Sequence, residues 1–284
     1  MTRTALATVF TVTFTAFGVP PARAQAPLPE PAAPSYAPAE LDRIVSPVAL
    51  YPDPLLAQVL AAATYSTEIP DAAQWADNHR SFTGDRLADA INADQVPWEP
   101  SVQALLPFPS VLDMMARDMA WTEELGDAVL AERGEVMDAV QRRRHEAFAY
   151  GYLRSDAAVT VSSGPYIEIV PVEAAYIPIP VYDPLVVFAA PRPGIVVRTA
   201  LTYRFGARLG VAFAPWGWGV SGFDWPGRLV VINRRPWERT WVNRETYVHP
   251  YVVRRYAGPP LEQHRVIARA QPRESARDAR NRRR

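Results

Sequence analysis

The 284-residue chain has no cysteine and no lysine, and each absence removes a class of answers. Without cysteine there are no disulfides, so an exported version of this chain has to fold by core burial alone. Without lysine the phosphate-binding loop Gly-x-x-x-x-Gly-Lys cannot occur. Histidine is scarce too: His79, His145, His249 and His264 lie far apart, with no His-x-x-x-His or Glu-x-x-His spacing. They read as surface or capping residues, and no metal and no cofactor is expected. A run of about 20 strongly apolar residues, the length a membrane span requires, is also missing from the mature chain.

The start of the chain has the three parts of a secretory signal. Arg3 supplies the positive charge, Ala5 to Val19 the apolar run, and Ala22-Arg23-Ala24 the small-x-small cleavage site before Gln25. No Arg-Arg pair precedes the run and no cysteine follows it, which points to a Sec-type route without lipidation. The expected address is therefore the periplasm or another exported location in the cell envelope.

The net charge of zero conceals a segregation. Residues 25–157 carry 21 acids and 9 arginines, net −12; residues 158–257 carry 6 and 11, net +5; residues 258–284 carry 3 and 8, again net +5. Such asymmetry bears on partners more than on fold.

Five segments follow from composition: a signal peptide (1–24), a Pro-rich linker (25–39), a helical domain (40–153), a β-rich aromatic module (154–257) and an Arg-rich tail (258–284) expected to be disordered. The fold class is α+β. In the helical part Asp53-Pro54 reads as an N-cap and first-turn proline, followed by Leu56, Leu60 and Ala63 on one face. Ile69-Pro70-Asp71 and Pro109-Ser110 mark two more starts, and Pro97 to Pro100 is a break around Trp98. Thr122 to Glu124 opens the longest helix, with Val129, Val136, Val140 and Ala147 inward and Arg142, Arg143 and Arg144 near its end. Five to seven helices are predicted.

Beyond Gly151, residues 166–172, 176–187, 195–205, 228–233 and 246–253 read as strands, rich in Val, Ile, Tyr and Phe and separated by Pro and Gly. Pro178 and Pro180 lie two apart, so the N–H groups they lack fall on one side of their strand. That predicts an edge strand whose donor-poor side faces solvent, with Asp183-Pro184 turning the chain.

The order Tyr51-Pro52-Asp53-Pro54-Leu55-Leu56-Ala57-Gln58, then Trp75, Trp98, Gln103, Phe108-Pro109-Ser110, Trp121-Thr122, Leu125-Gly126 and Gln141, resembles the bacterial family called domain of unknown function 3300. The β part adds Ile167-Glu168-Ile169-Val170-Pro171 and the run through Tyr182-Asp183-Pro184. Gln141-Arg142-Arg143-Arg144 departs from the pattern where an apolar residue is expected. The resemblance implies an exported bacterial context and a two-part layout, and no chemistry.

The residues themselves offer little catalysis. Gly219-Val220-Ser221-Gly222 falls short of the Gly-x-Ser-x-Gly elbow. A carboxylate pair remains, drawn from Asp53, Glu168 and Asp183, and with it the alternative of a cell-wall-directed hydrolase. The expected function is non-catalytic binding or assembly. Trp216, Trp218, Trp225, Trp237 and Trp241, crowded into some 26 residues, are either a binding platform beside arginines or the core of a small β unit. Expected partners are an anionic envelope component, such as a lipid headgroup, a glycan or an acidic protein; nucleic acid is not among them.

Overall fold

The helical half begins where proline permits a first turn and acid favours it. α1 (Pro38–Val45), α2 (Asp53–Ala63), α3 (Ile69–Asn78), α5 (Pro100–Ala104) and α6 (Pro109–Arg117) all have proline at the first or second position. α4 (Gly84–Asp94) and the 31-residue α7 (Met119–Ala149) complete this part. The computed structural model describes residues 32–191 and 199–249. The expected signal peptide (1–24), residues 25–31 of the Pro-rich linker and the Arg-rich tail lie outside the described residues.

Seven α-helices between residues 38 and 149 match the expected number among the described residues. α7 starts earlier than predicted because Asp118, not Thr122, caps it, accepting from Trp121 N at 3.0 Å. The helix is bent at Glu132 (φ −138°, ψ 49°). Two outside groups fit the bend: Leu130 O accepts from Trp241 N at 2.8 Å, and the Glu132 carboxylate takes Ser35 Oγ and Tyr36 N at 2.9 and 3.2 Å.

α2 is buried along every position except Pro54, as a helix apolar on all sides must be. It packs against α7 on one side and against strands of the C-terminal half on the other. At Gly126 the two helices come so close that a Cβ there would stand 2.2 Å from Ala63 O.

The β half consists of short antiparallel pieces. β1 (Val159–Val161) pairs with β2 (Ile169–Pro171), and β3 (Tyr176–Tyr182) with β4 (Leu201–Arg208). A one-turn helix α8 (Pro184–Val187) lies between β3 and β4. β5 (Gly222–Asp224), β6 (Leu229–Ile232) and β7 (Arg235–Pro236) form a meander in that order. β3 has one partner among the described residues, as an edge strand should. Its prolines are not turned to water, however: Pro178 and Pro180 are buried, so ring packing rather than solvent covers that part of the strand. Residues 246–249, the described part of an expected strand, are turn and irregular backbone.

The two halves share one core. Phe213, Trp216, Val230, Ile232 and Trp237 from the β half are buried in the same cluster as Leu55, Leu60, Phe108 and Val129. A second cluster joins Leu50 and Ala147 to Leu153, Val159, Ile169, Val187 and Tyr203. The change of composition near residue 153 is therefore not a boundary between cores, and the described residues from Ala33 onward belong to one compact unit.

Candidate functional site

From the last turn of α1 through the turns that lead to α2, backbone carbonyls point inward, where each needs a donor. Side chains from remote elements supply them. Ile44 O accepts from Trp121 Nε1 (2.8 Å), Ser46 O from Tyr182 Oη (2.7 Å) and Leu50 O from Tyr203 Oη (2.8 Å). Ala49 O and Tyr51 O both accept from Arg144, through Nε and Nη2 at 2.9 Å each.

Arg144 is wholly buried. Its Nη1 donates to Asp53 Oδ1 at 2.6 Å and to Ile167 O at 2.8 Å, and its guanidinium carbon lies 5.1 Å from the ring centre of Trp225. Asp53 is held from other directions as well: Ile169 N reaches Oδ1 at 3.3 Å and Trp225 Nε1 reaches Oδ2 at 3.2 Å. One turn before Arg144, Gln141 brackets Ile167, donating to its carbonyl (3.1 Å) and accepting from its N–H (2.8 Å). Helices α2 and α7, strand β2 and the loop after β5 thus meet at one ion pair. A buried pair is tolerated only when its remaining donors and acceptors are satisfied, and here they largely are.

This corrects one reading of the sequence. Asp53 is not an N-cap: Pro52 occupies that place, without a side-chain bond. Arg144 does lie near the end of the longest helix, as expected, and there it is drawn into the core. Arg142 and Arg143 do reach the surface side, pairing with Asp42 at 2.8 and 3.5 Å.

Gln58 and Gln103, two more motif residues, are also fastened inward. Gln58, fully buried, donates to Trp216 O (3.1 Å) and to Ser221 Oγ (3.4 Å). Ser221 in turn donates to Gly217 O at 3.0 Å and accepts from Asn233 N at 3.1 Å, so the serine of the incomplete elbow is a structural bridge. Gln103 donates to Trp98 O (2.5 Å) and accepts from Trp216 Nε1 (3.1 Å). Asp183 caps α8, accepting from Leu185 N at 2.9 Å, with Pro184 in the first turn.

Of the three carboxylates of the hydrolase reading, Asp53 is buried in its ion pair, while Asp183 and Glu168 are exposed. The tryptophans do not form a platform. Trp216, Trp218, Trp225 and Trp237 are buried and Trp241 is half-buried, because the short β pieces have few other large side chains to fill their interior.

A different set of aromatic rings reaches the surface. Trp75 stacks on His79 (3.9 Å between ring centres, 22° between planes), Trp98 meets the edge of Trp75 at 6.4 Å, and Phe82 meets His79 at 5.2 Å. Arg86 lies 3.9 Å over Phe82, and Trp75 Nε1 donates to Asp94 at 2.8 Å. The row leads into a groove of about 240 Å³ lined by His79, Phe82, Leu87, Leu106, Pro107 and Pro109, among others. Its sequence signal was the i, i+4 spacing of Trp75 and His79. Among the described residues no group of three or more His, Asp or Glu side chains is placed to hold a metal ion. Nor is any helix there long and apolar enough to cross a membrane.

The model of the family "Protein of unknown function (DUF3300)" matches residues 37–249. The chain belongs to the DUF3300 family. The DUF3300 match runs from α1 to the end of the described residues and so takes in both halves of the shared core. A relative is "Uncharacterized protein YacH" of Escherichia coli (strain K12), 43% identical over 137 residues, which are 48% of this chain and 22% of that protein. The chain thus aligns with under a quarter of that relative's length. No solved structure matches the chain.

Proposed function

We propose that this DUF3300 protein is exported to the bacterial envelope and acts there by binding or assembly rather than by catalysis. The observation that carries the reading is the Asp53–Arg144–Trp225 centre: the groups with most chemical potential are joined to one another and hold the fold. What remains at the surface suits recognition, namely the Trp98–Trp75–His79–Phe82 row and an acidic helical half opposed to a basic C-terminal end. Rings with apolar faces and polar rims are effective contact residues. Export rests on residues 1–24, whose apolar run and Ala-x-Ala site predict a mature chain starting at Gln25.

Retention of the full mature chain on purified cell wall and on anionic vesicles, at low and high salt, tests the proposal. The expected result is retention that salt weakens, reduced in a chain ending at Ala257 and, on cell wall, in Trp75→Ala. Screening shortens from about 10 Å at 0.1 M toward about 3 Å at 1 M, so contacts made by the arginine tail should fade over that range. Release of soluble wall fragments would establish a hydrolase instead, and no retention on either surface would refute the envelope-binding reading.

A further inference from the structure

Where the segment 237–249 lies on the helices, two carboxyl groups and one guanidinium come together. Glu99 caps α5: its Oε2 accepts from Ser101 N at 2.6 Å and from the Ser101 hydroxyl. Its own N–H donates to Glu68 Oε2 at 2.7 Å. Its second oxygen, Oε1, is closed off from solvent and has no hydrogen-bond partner. From the C-terminal segment, Arg239 stands 3.7 Å over the Tyr65 ring and donates to the Thr64 hydroxyl (3.1 Å) and carbonyl. Its remaining bonds go to Arg244 O, at 2.7 and 3.2 Å. The guanidinium is thus engaged with carbonyls and a hydroxyl, near both carboxyls but bonded to neither. Tyr247, whose hydroxyl accepts from Glu238 N, faces the same place from the segment, and Tyr65 from the helical side.

We propose that Glu99 and Glu68 form a proton-operated clasp that holds segment 237–249 to the helices, closed while Glu99 is neutral and loosened when it ionises. An anion with one oxygen lacking both water and donor is costly in a buried place, and a second anion stands beside it in Glu68. The bonds of Arg239 go to Thr64 and Arg244 and none reaches either carboxyl, and Oε1 is closed off from solvent, so hydrating the new charge requires the segment to shift and admit water. Burial pushes the Glu99 carboxyl up to about 7, Glu68 adding to the rise while the Ser101 bonds and Arg239 oppose it. Glu68 is also raised by burial, and the Glu99 N–H and Arg239 restrain it. The folded value lies above the unfolded one. The stabilisation is therefore fully present below the ordinary carboxylate range and is lost as pH rises through about 7. His249 acts with the opposite sign: burial lowers it to about 4, so its contribution is lost as pH falls below the ordinary histidine value.

Amide hydrogen exchange of the full chain, corrected for the intrinsic pH dependence of exchange, reads the clasp directly. In the wild type, protection of residues 237–249 and of the Glu99 loop should fall between about pH 5 and 7 and level off above that. Each pH unit between the ordinary carboxylate value and about 7 should cost about tenfold, because opening releases one proton there, and above that, with Glu99 ionised in both states, no further loss follows. Glu99→Gln keeps the shape and removes the charge, so its protection there should be flat, and Glu68→Gln, which removes the neighbouring anion that adds to the rise at Glu99, should move the upper end of the wild-type fall downward in pH. Unchanged protection in the wild type, or the same pH dependence in Glu99→Gln, would overturn the proposal. If Glu99→Gln fails to fold, carboxyl NMR of the wild type decides: a glutamate titrating near 7 together with the loss of protection supports the clasp, and all glutamates titrating below about pH 5 refutes it.

Discussion

Arg144 illustrates how one side chain can organise a body of this size. It feeds two carbonyls of the α1–α2 turn, the carboxylate of Asp53 and the carbonyl of Ile167, with no water in reach. Removing one partner leaves the other charge buried and unpaired. Arg144→Met or Asp53→Asn should therefore destabilise by about 3–5 kcal/mol in urea denaturation, and the double variant by clearly less than the sum. Arg228, half-exposed and paired with Glu135 and Asp138, should cost about 0–1 kcal/mol when replaced by Met, because water competes for that pair. If Arg144→Met were equally mild, the ion pair would not be the keystone described. The sequence contained the clue: residue 144 stands four after Val140 and three before Ala147, on the face already read as apolar. Reading arginine by type and not by position concealed it.

Among the elements, helix starts were legible because proline and acid sit where the local backbone needs them, at Asp53-Pro54, Ile69-Pro70 and Pro109. α1 and α4 were not singled out, having few apolar residues in the pattern. Strands fared worse, since three-residue pieces such as β1 and β5 owe their pairing to the surface they lie on. The tryptophans at element boundaries divide by burial. Trp121 is buried and bonded to Ile44 O, so Trp121→Ala should cost about 3–5 kcal/mol. Trp98 is half-buried at the end of the surface row, so Trp98→Ala should cost distinctly less and show chiefly in binding. Equal losses would mean that the row is structural. Gly126 gives a sharper test of the α2–α7 contact. In an open helix Gly→Ala gains about 0.5–1 kcal/mol. Here the added carbon would meet Ala63 O at 2.2 Å, so Gly126→Ala should lower the melting temperature. A rise would show that the helices can part at no cost.

At the scale of the molecule the sequence showed two compositions, and from that a helical domain and a β module. What it could not show is that both fill one interior, because burial between segments more than 100 residues apart leaves no local periodicity. α2 is covered by α7 on one side and by β5 and β6 on the other, and the Asp53–Arg144 pair takes bonds from Ile167, Ile169 and Trp225. A fragment of residues 40–153 would keep both charges and lose those three partners, together with the cover supplied by Phe213, Trp216 and Trp237. The same reasoning applies to the other fragment, whose tryptophans would be left with little to pack against. A protease should still cut between residues 155 and 164, where most side chains are exposed. The two pieces should then remain associated and melt together as one transition, and when separated neither should unfold cooperatively. This is measured by gel filtration of the nicked protein, followed by calorimetry and near-ultraviolet circular dichroism of each purified piece. A fragment 40–153 that melts cooperatively alone, at a temperature near that of the whole chain, would show that the helices have a sufficient core of their own and that the ion pair can be satisfied without the β half.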